Sequence, residues 1–127
     1  MSNFNRNMLI GQWVRNDTDD SGNPFVEHAE FFGDGSFEFC FMTMSNSGDI
    51  LQQEIELGDW GLVGDIHFTM TKNEVLDEKM MSADLANPDN YHAYKVTQLT
   101  ADSFAYEHIL SKESFILKRV IDNIGHC

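Results

Sequence analysis

The strongest constraint in this chain is a period of two. Phe37, Phe39 and Phe41 are interleaved with Ser36, Glu38 and Cys40, and Ile66, Phe68 and Met70 with His67 and Thr69. Phe104 and Tyr106 flank Ala105, and Phe115 and Leu117 flank Ile116. Successive strand side chains point to opposite faces, so each apolar set belongs to one face of a strand. Turn clusters at Asp17 to Pro24, Gly33-Asp34-Gly35, Ser45 to Asp49 and Gly64-Asp65 cut the chain into short pieces. The pattern predicts about eight strands near residues 9–16, 25–32, 36–44, 50–57, 58–63, 66–72, 91–98, 103–110 and 114–120. The fourth and fifth segments can equally be read as one long strand bent at Gly58. Short connections without crossover helices make neighbouring strands antiparallel.

Two segments break the alternation. Residues 4–10 read as a short helical turn leading into the first strand. Residues 73–90 read as the one long connection, with a helical turn near Ser82 to Ala86 and Pro88 closing it. A connection of that length is either a partly ordered loop or a lid. No linker, low-complexity tract or internal repeat divides the chain, so residues 1–127 are expected to form one domain.

The chain is 42% hydrophobic and carries ten Phe, three Tyr and two Trp, enough for one core. Twenty-one acidic residues against eight basic ones give a formal charge of −13. That charge repels phosphate backbones and anionic lipid, so no nucleic-acid or membrane partner is expected. No apolar run approaches the ~20 residues of a membrane-spanning helix. The first residues lack a basic segment followed by an apolar core, so a secretory leader is not expected. Cys40 and Cys127 do not make a disulfide framework, and the expectation is a reduced, cytoplasmic protein.

Antiparallel strands of this number form a sandwich or a barrel. The ends of the pattern favour the barrel. Gly11-Gln12-Trp13 opens the first strand and Arg119 lies near the end of the last. In a closed barrel those strands are neighbours, and the guanidinium can lie on the indole and bond nearby carbonyls. A glycine and tryptophan on the first strand with an arginine on the last resembles the signature of lipocalins and the wider calycin group. Further elements resemble short bacterial lipocalin-like domains: Phe31 before Asp34-Gly35-Ser36-Phe37, Gly58-Asp59-Trp60 before Gly64-Asp65, Tyr94 to Leu99 before Thr100, and Leu117-Lys118-Arg119. The resemblance runs from residue 9 to residue 120 and implies an up-and-down β-barrel of about eight strands. The chain departs from that pattern in its displaced Thr100-Ala101-Asp102 and in lacking the disulfide usual in outer lipocalins.

Local motifs point to no metal, cofactor or catalytic residue. Asp17-Thr18-Asp19-Asp20-Ser21-Gly22 resembles the start of a calcium loop, but its twelfth position is His28 instead of a bidentate glutamate. The five histidines show no ligand-like spacing, and no nucleophile elbow or phosphate-cradling glycine loop is present. Glu27, Glu30, Glu54, Glu56 and Glu107 alternate as solvent-facing residues do.

One set is more informative. His92, Tyr94 and Val96 share one strand face, as do Phe104, Tyr106 and His108. A hairpin around Leu99-Thr100-Ala101 pairs His92 with His108, Tyr94 with Tyr106 and Val96 with Phe104. Phe39, Phe41, Phe68 and Met70 would then supply apolar contact while His92, Tyr94, Tyr106 and His108 orient a polar head. The leading expectation is non-enzymatic binding of a small hydrophobic or amphipathic ligand, with long-chain acids as test compounds. Two alternatives stay open: a filled barrel acting through its surface, as an interaction or homo-oligomer module, and a cavity isomerase or hydrolase.

Overall fold

The computed structural model describes residues 4–120. It contains nine strands: β1 (Gly11–Thr18), β2 (Pro24–Phe31), β3 (Ser36–Met44), β4 (Ile50–Val63), β5 (Ile66–Leu76), β6 (Lys79–Ser82), β7 (Tyr91–Leu99), β8 (Ser103–His108) and β9 (Ser114–Arg119). All pairings are antiparallel. Eight strands run β4-β3-β2-β1-β9-β8-β7-β5, and a β4–β5 pairing closes the ring, with β6 added outside on the far part of β5. The fourth and fifth sequence segments are one strand, with a bulge between Leu57 and Gly58.

Closure depends on a seam with a single short ladder. β1 and β9 pair only at Trp13↔Arg119 and Val14↔Lys118. The Arg119 guanidinium lies 4.2 Å from the Trp13 ring centroid. It donates to the carbonyls of Ala101 (2.7 Å), Ile10 (3.0 Å) and Met8. One side chain thus ties the β7–β8 turn, the start of β1 and the segment before it to the last strand. Gly11 is required there: its φ is +129°, and a Cβ would sit 2.6 Å from Arg119 Nη1. The turn expected over residues 4–10 is a 3-10 turn at Arg6–Met8. Arg6 donates to Gly33 O at 3.0 Å and lies over the Trp60 ring, while Leu9 O accepts from Trp13 Nε1 at 2.9 Å. This segment plugs one end of the barrel.

Leu9, Trp13, Phe31, Phe37, Trp60, Phe104 and Leu117 fill that end. Trp13 meets Phe104 at 5.6 Å and Phe31 meets Trp60 at 5.2 Å between centroids. Each such buried side chain contributes about 1.5–3 kcal/mol, so the plugged end carries the larger share of apolar stabilisation.

Several expectations need correction. Residues 73–90 are not one loop: β5 runs on to Leu76 and β6 returns along it, turning at Asp77 and Glu78 with φ of +52° and +66°. Paired left-handed residues make a tight hairpin, which is hard to read when neither is glycine or asparagine. The helical turn lies at Pro88–Asn90 instead of near Ser82 to Ala86. In the β7–β8 hairpin, Tyr94 pairs with His108 and Val96 with Tyr106, two residues from the expected register, with a bulge between Val96 and Gln98. A two-residue slip preserves which side chains share a face. Cys40 is buried. Cys127 lies outside the described residues. No helix of the described residues is long and apolar enough to cross a membrane.

Arg119→Ala should destabilise the barrel by about 2–3 kcal/mol, since it removes the charge–ring contact and the partner of three carbonyls together. Urea denaturation followed by tryptophan fluorescence checks this. A loss below about 0.5 kcal/mol would show that the β1–β9 ladder closes the barrel without the arginine.

Candidate functional site

Away from the plug, the inward side chains change character. Along β1 the inner face runs Trp13, Arg15, Asp17, and along β2 it runs Phe31, Ala29, Glu27, Phe25; exposure rises along both series. The interior here holds a cavity of about 180 Å³ whose walls come from all eight barrel strands. Arg15, Glu27 and Ala29 form one side, Phe39, Phe41 and Glu56 the next, and His67, His92, Tyr94, Tyr106 and Phe115 complete it. A groove of about 440 Å³ near Ile50, Leu51 and Glu78 is larger, but none of its lining residues is buried. Convergent buried polar groups mark a ligand site better than volume does.

The expected ligand residues divide by location. Phe39, Phe41, His92, Tyr94 and Tyr106 line the cavity. Tyr94 and Tyr106 meet edge to face at 4.9 Å, and His92 Nδ1 lies 3.1 Å from His108 Nε2. His108 also accepts from the backbone N–H groups of Leu110 and Ser111 through Nδ1. Phe68 and Met70 are on the other side of the wall. They line an outer groove with Tyr91, Ile109 and Leu110, and Phe68 is 39% exposed. The inner residues of β5 are His67, Thr69 and Thr71, all buried.

Polar satisfaction explains that inversion. The His67 ring bonds Gly61 O at 3.2 Å through Nδ1, and Thr71 Oγ1 donates to Glu56 Oε1 at 3.0 Å. Phe68 meanwhile covers Gly61 from outside, where a Cβ would fall 2.3 Å from its ring. Polar residues that find partners inside, and an aromatic that finds a bare glycine outside, reverse the face that hydropathy alone selects.

Sequence reasoning missed Arg15, Glu27, Glu56 and His67. Glu27 and Glu56 were expected in solvent, yet Glu27 is 7% exposed and Glu56 faces the cavity. Arg15 Nε and Nη2 hold Glu27 Oε1 at 3.1 and 3.0 Å, and Nη1 holds Asp17 at 3.0 Å. The signal was faint but present: Glu27 lies two residues from Ala29 and four from Phe31, on their face. Burial pushes the Glu27 carboxyl up, and Arg15 opposes that shift. Burial likewise raises Glu56; the Thr71 hydroxyl opposes it, and Glu54, Glu74 and Glu27 add to it. Burial also raises Tyr94 and Tyr106, so both phenols stay protonated. His92 is pushed down, first by burial and then by His108. Among the described residues no group of three or more His, Cys, Asp or Glu is placed to hold a metal. The acidic β1–β2 turn uses Asp19 Oδ1 to accept from Ser21 N and Asn23 N.

His67 offers a direct check. Burial pushes its imidazole down to about 4, so it is neutral and donates from Nδ1 to Gly61 O. The unfolded chain takes up this proton near the ordinary value of about 6.5. Its stabilising contribution is therefore complete above about pH 6.5 and is lost as pH falls towards 4. An imidazole NMR titration should keep His67 neutral down to about pH 4, and His67→Gln should flatten the stability loss over that window. A His67 midpoint near 6.5 would show that the ring is solvated.

No protein-family model matches this chain, and no curated protein matches it by sequence. Among solved structures, it is similar to the crystal structure of a lipocalin-like protein from Bacteroides uniformis. The two share 19% sequence identity with a TM-score of 0.55, over 89% of this chain and 99% of the other. At that identity the likeness concerns the fold: this chain is a closed, lipocalin-like β-barrel.

Proposed function

We propose that the chain is a non-enzymatic binder that holds one small amphipathic molecule in the open half of its barrel. The observation that carries this reading is the division of the interior. Seven large apolar residues fill one end, while the other keeps a cavity of about 180 Å³ walled by aromatic rings and buried polar groups. Eight-stranded barrels are either filled or hollow enough for one small ligand, and this barrel combines both. A cavity of about 150 Å³ accommodates benzene, so the occupant fitting here is a single ring with a short arm. Long-chain acids, the compounds first expected, are too large for this space. Phe39, Phe41 and Tyr94 would supply ring contacts, and Tyr106 and His67 polar ones. His108 supports the site through His92.

A second reading has its own observation. The outer groove of Phe68, Met70, Tyr91, Ile109 and Leu110 measures about 290 Å³, and Leu110 is 81% exposed. Such a surface suits an interaction or homo-oligomer module.

Benzyl alcohol should bind at about one per chain, detected by saturation-transfer NMR, and Ala29→Leu should abolish binding with the fold intact. Ala29 lines the cavity, and a void accepts added volume better than a packed core. If the interior is filled, no probe binds and Ala29→Leu costs about 1–3 kcal/mol instead.

A further inference from the structure

The cavity is chemically lopsided. Its one cation, Arg15, is engaged by Glu27 and Asp17, both at 3.0 Å. Glu56 faces the same space with only the Thr71 hydroxyl bonded to it, and among the described residues no cation pairs with it. Two further groups lack partners. Tyr106 is 9% exposed and His67 2% exposed, and among the described residues nothing bonds the Tyr106 hydroxyl or His67 Nε2. Because Nδ1 of the neutral His67 donates to Gly61 O, Nε2 carries a lone pair. Buried polar groups are normally bonded, so His67 Nε2 points to a ligand that supplies a donor, and the Tyr106 hydroxyl, which can donate or accept, can receive a second.

The interior already shows how it accommodates a cation. The Arg15 guanidinium sits on the Glu27 carboxylate with its carbon 5.6 Å from the Phe25 ring and 5.2 Å from the Phe115 ring. Carboxylate plus ring face is the combination that recognises organic cations. Glu56 with Phe39, Phe41 and Tyr94 repeats it across the cavity.

Building on the binder reading, we propose that the occupant is a small primary arylalkyl amine, a ring with its amine on a short saturated arm. Its ammonium is held by Glu56, His67 Nε2 and the Tyr106 hydroxyl, and its ring by Phe39, Phe41 and Tyr94. An ammonium carries three donors, and these three groups supply three acceptors. A carboxylate ligand would meet Glu56 and Glu27 with a single, already paired arginine to oppose them.

Three probes of nearly equal size separate the possibilities: benzylamine, benzyl alcohol and phenylacetate, titrated at pH 7.5 by calorimetry into the full chain. Benzylamine should bind about 10-fold or more tighter than benzyl alcohol, with phenylacetate weakest, as one charge-assisted hydrogen-bonded contact implies. Glu56→Gln keeps an acceptor for Thr71 and should erase the amine's advantage while leaving benzyl alcohol within about 2-fold. Equal binding of amine and alcohol by the wild-type chain, tightest binding of phenylacetate, or an amine preference that survives Glu56→Gln overturns the cation assignment and leaves the binder reading standing. The wild-type comparison decides even if the variant fails to fold. Failure of all three probes to bind overturns both.

Discussion

The barrel depends on one arginine at its seam. Seven of the eight barrel junctions are ladders of five to ten residue pairs, whereas β1 and β9 share two. Arg119 makes up the difference by lying on Trp13 and donating to three carbonyls from two separate stretches of chain. Those contacts hold the N-terminal segment as a plug, and the plug is the floor under the aromatic core. Without closure there is no interior to divide into filled and hollow halves. Gly11 is part of the same device, because any side chain there would occupy the guanidinium's position.

Above that floor the chain accepts a cost that a packed core avoids. Glu27, His67, Thr69 and Thr71 are removed from water, and Glu56 is partly so, in a space that apolar residues could have filled. Some of the penalty is offset locally, by Arg15 on Glu27 and by Gly61 on His67. The raised carboxyls and the lowered imidazole report the part that is not. Polar burial with an incomplete set of partners tends to accompany recognition, where a ligand completes the set. The plugged end carries stability and leaves the open end free for polar chemistry.

Much of this architecture was legible in the sequence, and the reasons differ residue by residue. Gly11, Trp13 and Arg119 could be read as a closure because their positions on the first and last strands allow one meeting place. Phe39, Phe41, Tyr94 and Tyr106 could be placed inside because alternation and hydropathy agree there. On β5 they disagree. Alternation sorts His67, Thr69 and Thr71 from Phe68 and Met70 but does not say which set turns inward, and hydropathy chose the wrong one. The deciding facts, Glu56 waiting for Thr71 and a bare Gly61 waiting for Phe68, are contacts between strands. Glu27 and Glu56 were hidden for the same reason: a glutamate among apolar neighbours reads as solvent-facing until its partner strand is known.

The proposed binding mode puts a ligand in the polar half of the barrel interior and not in the outer groove. The measurement that tests it most directly is an NMR titration of the labelled chain with benzylamine, read at assigned side chains. Aromatic ring signals of Phe39, Phe41, Tyr94 and Tyr106 should shift together with one saturating curve. The Trp13 indole N–H and the Phe104 ring, sealed in the plug, should stay within the spread of unaffected residues. Shifts confined to Phe68, Met70 and Leu110 would place binding in the outer groove and contradict an interior site.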